Sequence, residues 1–416
     1  MKNFIKEELE SGITLVTEKK SYFNSISIGL WVKTGSSYEP PELNGISHFI
    51  EHLLFKGTKT RTSRVINKEI DLMGGALNAF TGMELTCLYT RVLSENYDKA
   101  LNLLIDIMFN SSFPKEEMAK EKGVILQEIL AAQDDPYDYA MELFHNNFYG
   151  DSPYGRPILG TRETVEGLDR DKIREYYYSN YSPENLVISI AGNFNYPDIV
   201  KSIDKYMSSI PGKFKMRPRP ATSEISKTYG NFLQEKDLEQ THFIVGVDGL
   251  RKTDKDYYVL EILNTLLGGS VSSRLFRELR ENKGLAYSIY SNAVFHRSDG
   301  YVYIYAGISP KRLRLSKKLI FNIMDDLVSG NIKEEEISNA KKHVAEGFLL
   351  GLESTSYIMN NNAINEIYNN RYISKFHVLK KINSTDKASL KEIAKKILGD
   401  KNRRHISIVG RASNGK

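Results

Sequence analysis

The 416-residue sequence contains one cysteine, Cys87, so no internal disulfide can form. That scarcity fits a reducing compartment, and the apolar surroundings of Cys87 in the sequence predict a buried, inert thiol. Long apolar runs are also missing, and no window approaches the eighteen residues of a membrane span. The acidic N-terminal segment lacks the apolar region of a secretory signal and the arginines of a transit peptide. We therefore expect a cytoplasmic, bacterial-like protein rather than one of the mitochondrial matrix.

The chain also has little net charge. Its 57 basic and 52 acidic residues give +5 at pH 7, and no lysine- and arginine-rich tract is interleaved with aromatics, so we expect no nucleic-acid partner. With 41% hydrophobic and 26% charged residues, the composition is that of an ordinary globular protein. The length allows two or three domains.

Histidine is scarce too, with eight in the chain, yet two of them lie four residues apart as His48 and His52, with Glu51 between them. On a helix these three side chains share one face. Two neutral imidazoles at this spacing can bind one Zn²⁺, and a carboxylate beside them can take a proton from metal-bound water. The order H-x-x-E-H is the inverzincin signature, and chance predicts it only about 0.02 times in this chain.

A catalytic zinc usually takes a third protein ligand. The long helix predicted over residues 115–133 offers four glutamates: Glu116, Glu117, Glu121 and Glu128. Glu121 and Glu128 are two turns apart, so they share a face that borders an apolar stripe. The residues alone leave the choice among these acids open.

The sequence reads as two copies of one design. Each copy has a β-rich start, helices, a β-pair, a long helix and a closing strand, and VISIAG near residue 190 is echoed by HISIVG near residue 408. Proline and glycine cluster between the copies, which predicts a zinc-binding half over 1–212, a linker over 213–226 and a second half over 227–416. Aligning the Leu-Leu pairs places three non-matching residues opposite the zinc motif: Glu261, Asn264 and Thr265.

His48-Phe49-Ile50-Glu51-His52, followed 76 positions after His52 by Glu128, resembles the insulinase/pitrilysin family of inverzincin metallopeptidases. The resemblance covers essentially the whole chain and is closest to the small, mitochondrial-processing-peptidase-like bacterial branch. It implies an α+β fold of two homologous halves, each an antiparallel sheet with helices packed on one face. It also implies one Zn²⁺ per chain, held by His48, His52 and Glu128, with Glu51 as the general base.

The same resemblance implies roles for five further residues. Glu121 would orient the ligands from outside the coordination sphere, and Asn78 and Ala79 in LNAFT would lie on an edge strand that pairs with substrate. In the second half, Arg280 and Tyr287 would reach the scissile carbonyl. The implied protein is a zinc metalloendopeptidase that cleaves short or unfolded peptides, bound extended in a chamber between the halves, by attack of zinc-bound water.

Because the zinc motif and the Arg280/Tyr287 pair occur in one chain, we expect an active monomer or homodimer that needs no unlike subunit. The alternative is a catalytically silent structural subunit in the core of a larger complex, although such proteins typically lose the zinc motif. A zinc-binding scaffold without proteolytic activity is a third possibility that the sequence leaves open.

Overall fold

A computed structural model describes residues 3–210, 212, 214, 216 and 225–411. The strands of this part of the chain are β1 (Phe4–Glu8), β2 (Thr14–Lys19), β3 (Ser25–Val32), β4 (Ala76–Thr81), β5 (Thr86–Leu93), β6 (Leu186–Gly192), β7 (Gly230–Gln234), β8 (Thr241–Asp248), β9 (Ala286–Phe295), β10 (Gly300–Ile308) and β11 (His405–Val409).

The α-helices of the described residues are α1 (Ile46–Leu54), α2 (Ser63–Leu72), α3 (Tyr97–Asn110), α4 (Lys115–Asp134), α5 (Pro136–Tyr149), α6 (Arg162–Gly167), α7 (Arg170–Asn180), α8 (Tyr196–Met207), α9 (Tyr257–Leu267), α10 (Leu313–Ser329), α11 (Glu334–Gly351), α12 (Thr355–Asn369), α13 (Lys375–Asn383) and α14 (Lys387–Leu398). A π-helical segment spans Phe276–Asn282.

The chain divides into two compact units. Unit 1 comprises Met1–Ala131, Arg156–Ser223 and Gly351–Tyr372, and unit 2 comprises Ala132–Gly155, Glu224–Leu350 and Ile373–Lys416. Each unit thus contains one segment from the opposite half of the sequence. The linker predicted over 213–226 lies largely outside the described residues, so that boundary stays a prediction.

Unit 1 is built on a six-stranded sheet of order β1-β2-β6-β3-β5-β4. Its neighbouring strands are antiparallel except for the parallel pair β2/β6. Successive side chains of a strand point to opposite faces, so β3 supplies two cores. Ile28 and Leu30 enter the main core with α1 and α3, whereas Trp31 enters a smaller core on the other face.

Unit 2 repeats this design in a five-stranded sheet of order β7-β11-β8-β10-β9. Its parallel pair β7/β11 corresponds to β2/β6, and the antiparallel series β11-β8-β10-β9 corresponds to β6-β3-β5-β4. The helix that follows the central strand is α1 in unit 1 and α9 in unit 2. The predictions of an α+β class and of two homologous halves are therefore confirmed.

A helix from the other half of the sequence packs on the second face of each sheet. In unit 1, α12 places Met359 against Trp31, whose indole N–H donates to the thioether sulfur at 3.4 Å. In unit 2, α5 packs Phe144 so closely on β8 that a Cβ at Gly246 would lie 2.4 Å from the ring. The sequence periodicity did not predict this exchange, because it reports only which faces are apolar.

No helix among the described residues is both long enough and apolar enough to cross a membrane. Cys87 lies buried on β5 and takes part in no disulfide. Burial, together with the charge of Glu51, raises the thiol pKa well above its ordinary value.

Candidate metal centre

The helix α1 begins at a turn that the sequence pattern did not predict. Gly45 occupies the N-cap position with φ +93° and has no side chain with which to cap the first N–H groups of the helix. The buried carboxylate of Glu39 accepts the backbone N–H groups of Gly45 and Ser47, each at 2.8 Å. Burial raises the pKa of Glu39, and these donors offset part of that effect. The carboxylate of a residue in the preceding turn therefore satisfies the helix start.

One face of α1 is buried in the main core and the opposite face carries the motif. Ile46, Phe49, Ile50 and Leu53 follow the i, i+3, i+4, i+7 spacing and are fully buried. This packing leaves the side chains of His48, Glu51 and His52 on the other face. The predicted placement of the motif on one helix face is thus observed.

The two imidazoles meet Glu128 of α4. The Nε2 atoms of His48 and His52 lie 3.9 Å and 3.6 Å from Glu128 Oε2, and the potential ligand atoms of the three residues all lie within 4.8 Å of one another. Within the described residues, no other group of three histidine, cysteine or acidic side chains is arranged to hold a metal ion. The structure therefore brings together the three residues predicted as ligands.

The chemistry of this cluster fits a zinc ion. Two imidazole nitrogens and one carboxylate oxygen are a usual donor set for catalytic zinc. Glu128 Oε2 is buried and has no hydrogen-bond partner among the described residues, and such a group is costly unless something satisfies it. Burial, with the neighbouring His52, lowers the pKa of His48 to about 4, so its imidazole is neutral at pH 7, as metal binding requires.

Glu121, two turns before Glu128 on α4, contacts the other side of His52. Its Oε2 lies 3.1 Å from His52 Nδ1, and its Oε1 lies 2.7 Å from the Lys56 ammonium. The Glu121 side chain is only 8% exposed. Metal-binding histidines commonly hold such a carboxylate at the ring nitrogen that faces away from the metal. The structure thus places Glu121 against His52, and its role in orienting that ring stays a prediction.

Glu51 is held by a hydroxyl from the edge of the sheet. Thr81, the last residue of β4, donates to Glu51 Oε2 at 2.6 Å. Burial raises the pKa of Glu51, and the Thr81 hydrogen bond acts in the opposite direction. A carboxylate with a raised pKa is a better proton acceptor than an ordinary surface glutamate while it remains ionised.

Asn78 and Ala79 lie on β4, which is an edge strand paired only with β5 among the described strands. The Ala79 N–H donates to the Asn78 side-chain oxygen at 2.8 Å. An edge strand with such a donor can accept an extended peptide as an additional strand. A substrate carbonyl would have to replace the Asn78 oxygen.

Arg280 and Tyr287 are brought together within unit 2. The Arg280 guanidinium carbon lies 5.0 Å from the centre of the Phe276 ring and 5.8 Å from that of Tyr287. Tyr287 is 75% exposed at the start of β9, so its hydroxyl is accessible. Phe276 and Arg280 both belong to the π-helical segment, a conformation often found at functional sites.

Among the residues that the structure describes, no potential metal cluster includes a side chain of α9 in unit 2. Its Asn264, aligned with Glu51, accepts a hydrogen bond from the Ser291 hydroxyl of β9 at 2.7 Å, and Thr265, aligned with His52, donates to the Glu261 carbonyl at 2.9 Å. Asn264 and Thr265 are buried. The side chains of Asn264 and Thr265 thus form their hydrogen bonds within the unit.

Three residues of the site were missed by sequence reasoning: Glu39, Lys56 and Thr81. Lys56 is four residues beyond His52, so its spacing could have drawn attention to it. Thr81 ends the LNAFT segment, but nothing local in the sequence links it to Glu51. Glu39 lies in a proline-containing turn, and only the fold places it below α1.

Comparison with known proteins identifies the family. Residues 14–162 match the model of the insulinase family, peptidase family M16, and residues 167–344 match that of the peptidase M16 inactive domain. The chain therefore belongs to peptidase family M16, as the resemblance predicted. His48, His52 and Glu128 all lie within the region that matches the first of these models.

Full-length bacterial relatives carry the name of zinc proteases. An uncharacterized zinc protease of Rickettsia bellii is 38% identical over 95% of this chain and 95% of its own length. The uncharacterized zinc protease YmxG of Bacillus subtilis is 36% identical over 93% of this chain and 94% of its own. A protease from Helicobacter pylori shares the fold with a TM-score of 0.92 at 22% identity, covering 98% of this chain and 99% of its own.

Proposed function

We propose that this protein is a zinc metalloendopeptidase that cleaves short or unfolded peptides. The observation that carries the proposal is the convergence of His48, His52 and Glu128 beside Glu51 on one face of α1. A structural zinc site is typically closed by four protein ligands, whereas three protein ligands leave a position for water or substrate. The family and the names of the relatives support the same reaction class.

When bound, zinc supplies a Lewis acid that polarises the scissile carbonyl and activates water. In the mechanism that we propose, Glu51 accepts the proton of the attacking water at its carboxylate and returns it to the leaving amine. Thr81 keeps that carboxylate in one orientation through its 2.6 Å hydrogen bond. The Tyr287 hydroxyl donates to the developing oxyanion, and Arg280 positions the carbonyl.

The edge strand β4 suggests how a peptide is held. An extended substrate would pair with the backbone at Asn78 and Ala79, which makes binding depend on main-chain hydrogen bonds rather than on one side chain. Such pairing requires an unfolded segment, because a folded protein already uses these backbone groups.

Both sets of predicted functional residues occur in one chain, so we expect the purified protein to cleave peptides as a monomer or homodimer. The measurement is peptide cleavage by the purified chain with one equivalent of zinc. If cleavage begins only when a second, unlike polypeptide is added, this part of the proposal is wrong.

The substitution Glu51→Gln tests the reaction itself. It keeps the size and the hydrogen bond to Thr81 but removes the proton acceptor, so cleavage should fall by about 10²–10⁴-fold. Zinc content should stay near one ion per chain, as measured by atomic absorption. Mass spectrometry of a library of unfolded peptides measures cleavage.

Glu116→Gln is the matched control, since Glu116 is an exposed acid at the start of α4; it should change neither zinc content nor cleavage. A wild-type chain that binds zinc and cleaves nothing in the library would favour the silent structural subunit. Retained turnover in Glu51→Gln would instead refute the role of Glu51.

A further inference from the structure

Lys56 completes a chain of contacts that runs outward from the candidate zinc ligands. His52 Nδ1 lies 3.1 Å from Glu121 Oε2, and the other oxygen of that carboxylate lies 2.7 Å from the Lys56 ammonium. Lys56 follows α1 directly, with its backbone N–H bonded to Leu53. The ammonium and the imidazole thus hold the Glu121 carboxylate from opposite ends.

The ion pair between Lys56 and Glu121 differs from the ion pair between Lys120 and Glu117 on α4. Lys120 and Glu117 lie 2.6 Å apart, but Lys120 is 65% exposed, and surface pairs of that kind contribute little. The Glu121 side chain is 8% exposed and that of Lys56 is 28% exposed. A carboxylate that is mostly removed from water depends on its few partners, so the loss of one partner has larger consequences.

The orientation of Glu121 determines which nitrogen of His52 is available. An ionised carboxylate can only accept hydrogen bonds, so a bond to Glu121 places the imidazole proton on Nδ1. The lone pair is then on Nε2, the atom that lies 3.6 Å from Glu128. Fixing the tautomer in this way before the metal arrives favours binding, because no rearrangement is then needed.

We propose that Lys56 is a positioning residue for the metal centre: its ammonium orients Glu121, which in turn fixes the His52 tautomer that binds zinc. The inference rests on the proposed zinc site. The family match assigns no role to Lys56. Its loss should lower zinc affinity first and should lower catalysis only as a consequence.

The test measures the zinc affinity of the whole chain by competition with a chromophoric chelator. Lys56→Met should weaken zinc binding by about 10–100-fold, the range found when outer partners of metal ligands are removed. Lys56→Arg should restore most of the affinity, because a guanidinium can also bind the carboxylate. Lys120→Met, which removes the same charge from α4, should change the affinity less than about twofold.

A double-mutant cycle makes the route of the effect explicit. In a Glu121→Gln background, Lys56→Met should have little additional effect, because the two residues act through one contact. An equal loss in both backgrounds, or wild-type affinity in Lys56→Met, would overturn the proposal. Wild-type protein that fails to bind zinc at all would instead refute the proposed function.

A spectroscopic measurement on the unmodified sequence covers the case in which a variant does not fold. In metal-free protein with ¹⁵N-labelled histidine, NMR should show His52 with its proton on Nδ1. Lys56→Met should populate the other tautomer while the melting temperature changes little. A wild-type His52 that is protonated on Nε2 alone contradicts the proposal directly.

Discussion

The helices α1 and α9 occupy corresponding places in two units of the same topology, yet their polar side chains are used differently. In α1, Glu51 accepts a hydrogen bond from the hydroxyl of Thr81 on the edge strand β4. In α9, Asn264 accepts a hydrogen bond from the hydroxyl of Ser291 on the edge strand β9. The contact between helix and edge strand persists, while the side chain that accepts it changes from a carboxylate to a carboxamide.

This difference indicates how one scaffold serves two purposes. A carboxylate can accept a proton near neutral pH, whereas a carboxamide cannot. The hydrogen bond to the helix therefore holds a candidate base in unit 1, whereas in unit 2 it contributes only to packing between helix and strand. The neighbouring positions follow the same pattern. His52 faces a cluster with an unpaired buried oxygen on Glu128, but Thr265 bonds within its own helix.

The largest effect should come from giving α1 the residue that α9 carries. His52→Thr removes one of three candidate ligands and should weaken zinc binding by about 4 kcal/mol, or a factor of about a thousand. Cleavage should fall with it when measured at limiting zinc. Thr265→Ala is the matched change in unit 2, and its zinc affinity should equal that of the wild type.

Removing the two corresponding hydroxyls should separate catalysis from stability. Thr81→Val should lower kcat by about tenfold to a hundredfold, because Glu51 is then free to leave its working orientation. Ser291→Ala should leave kcat unchanged but lower the free energy of unfolding by about 1–2 kcal/mol, since Asn264 loses a buried partner. Steady-state kinetics and urea denaturation of both variants measure these two effects. Equal losses of kcat in the two variants would contradict the expected difference between the two hydrogen bonds.

Each unit also buries one histidine whose pKa is lowered to about 4, His48 in unit 1 and His145 in unit 2. His145 lies 2.6 Å from the Tyr301 hydroxyl, and burial is the main cause of its shift. Because the unfolded chain takes up this proton near pH 6.5 while the folded chain resists it down to about 4, stability is lost as pH falls through that window. The slope should approach about 1.4 kcal/mol per pH unit.

His145→Gln should flatten the dependence of unfolding free energy on pH between about 6.5 and 4, as measured by denaturant titration at several pH values. His343→Gln, an exposed histidine on α11, is the control and should keep the wild-type slope. An unchanged slope in His145→Gln would show that other groups dominate acid stability.

The smallest effect should come from weakening the contact between Phe276 and Arg280 in unit 2. Phe276→Leu removes the aromatic face above which the Arg280 guanidinium lies at 5.0 Å, a contact worth about 0.5–1 kcal/mol at an exposed site. We expect kcat/KM for peptides to fall about twofold to fivefold, with Phe276→Tyr close to the wild type. A full loss of activity would indicate disruption of the fold instead.

The part of the site that the sequence predicts is the part that depends on local spacing. His48, Glu51 and His52 share a face because a helix repeats every 3.6 residues, and Glu121 and Glu128 share another for the same reason. The long helix predicted over residues 115–133 likewise matches α4, which extends one residue further. These features need no information about distant parts of the chain.

The features that escaped prediction depend on turn geometry and tertiary packing rather than on residue spacing within one helix. Glu39 caps α1 only because a turn returns it there, and α12 joins unit 1 because its Met359 covers Trp31 some 330 positions earlier. The π-helical segment at Phe276 carries the same helix-forming residues as an ordinary helix. Local propensity cannot distinguish such outcomes, since tertiary packing decides them.

The central claim is that one zinc ion binds in unit 1 and that the corresponding place in unit 2 binds none. Anomalous diffraction at the zinc edge, on crystals of the zinc-loaded chain, tests it most directly. We predict one peak per chain, in contact with His48, His52 and Glu128. The absence of a peak there, or an additional peak beside Glu261 and Asn264, would contradict it.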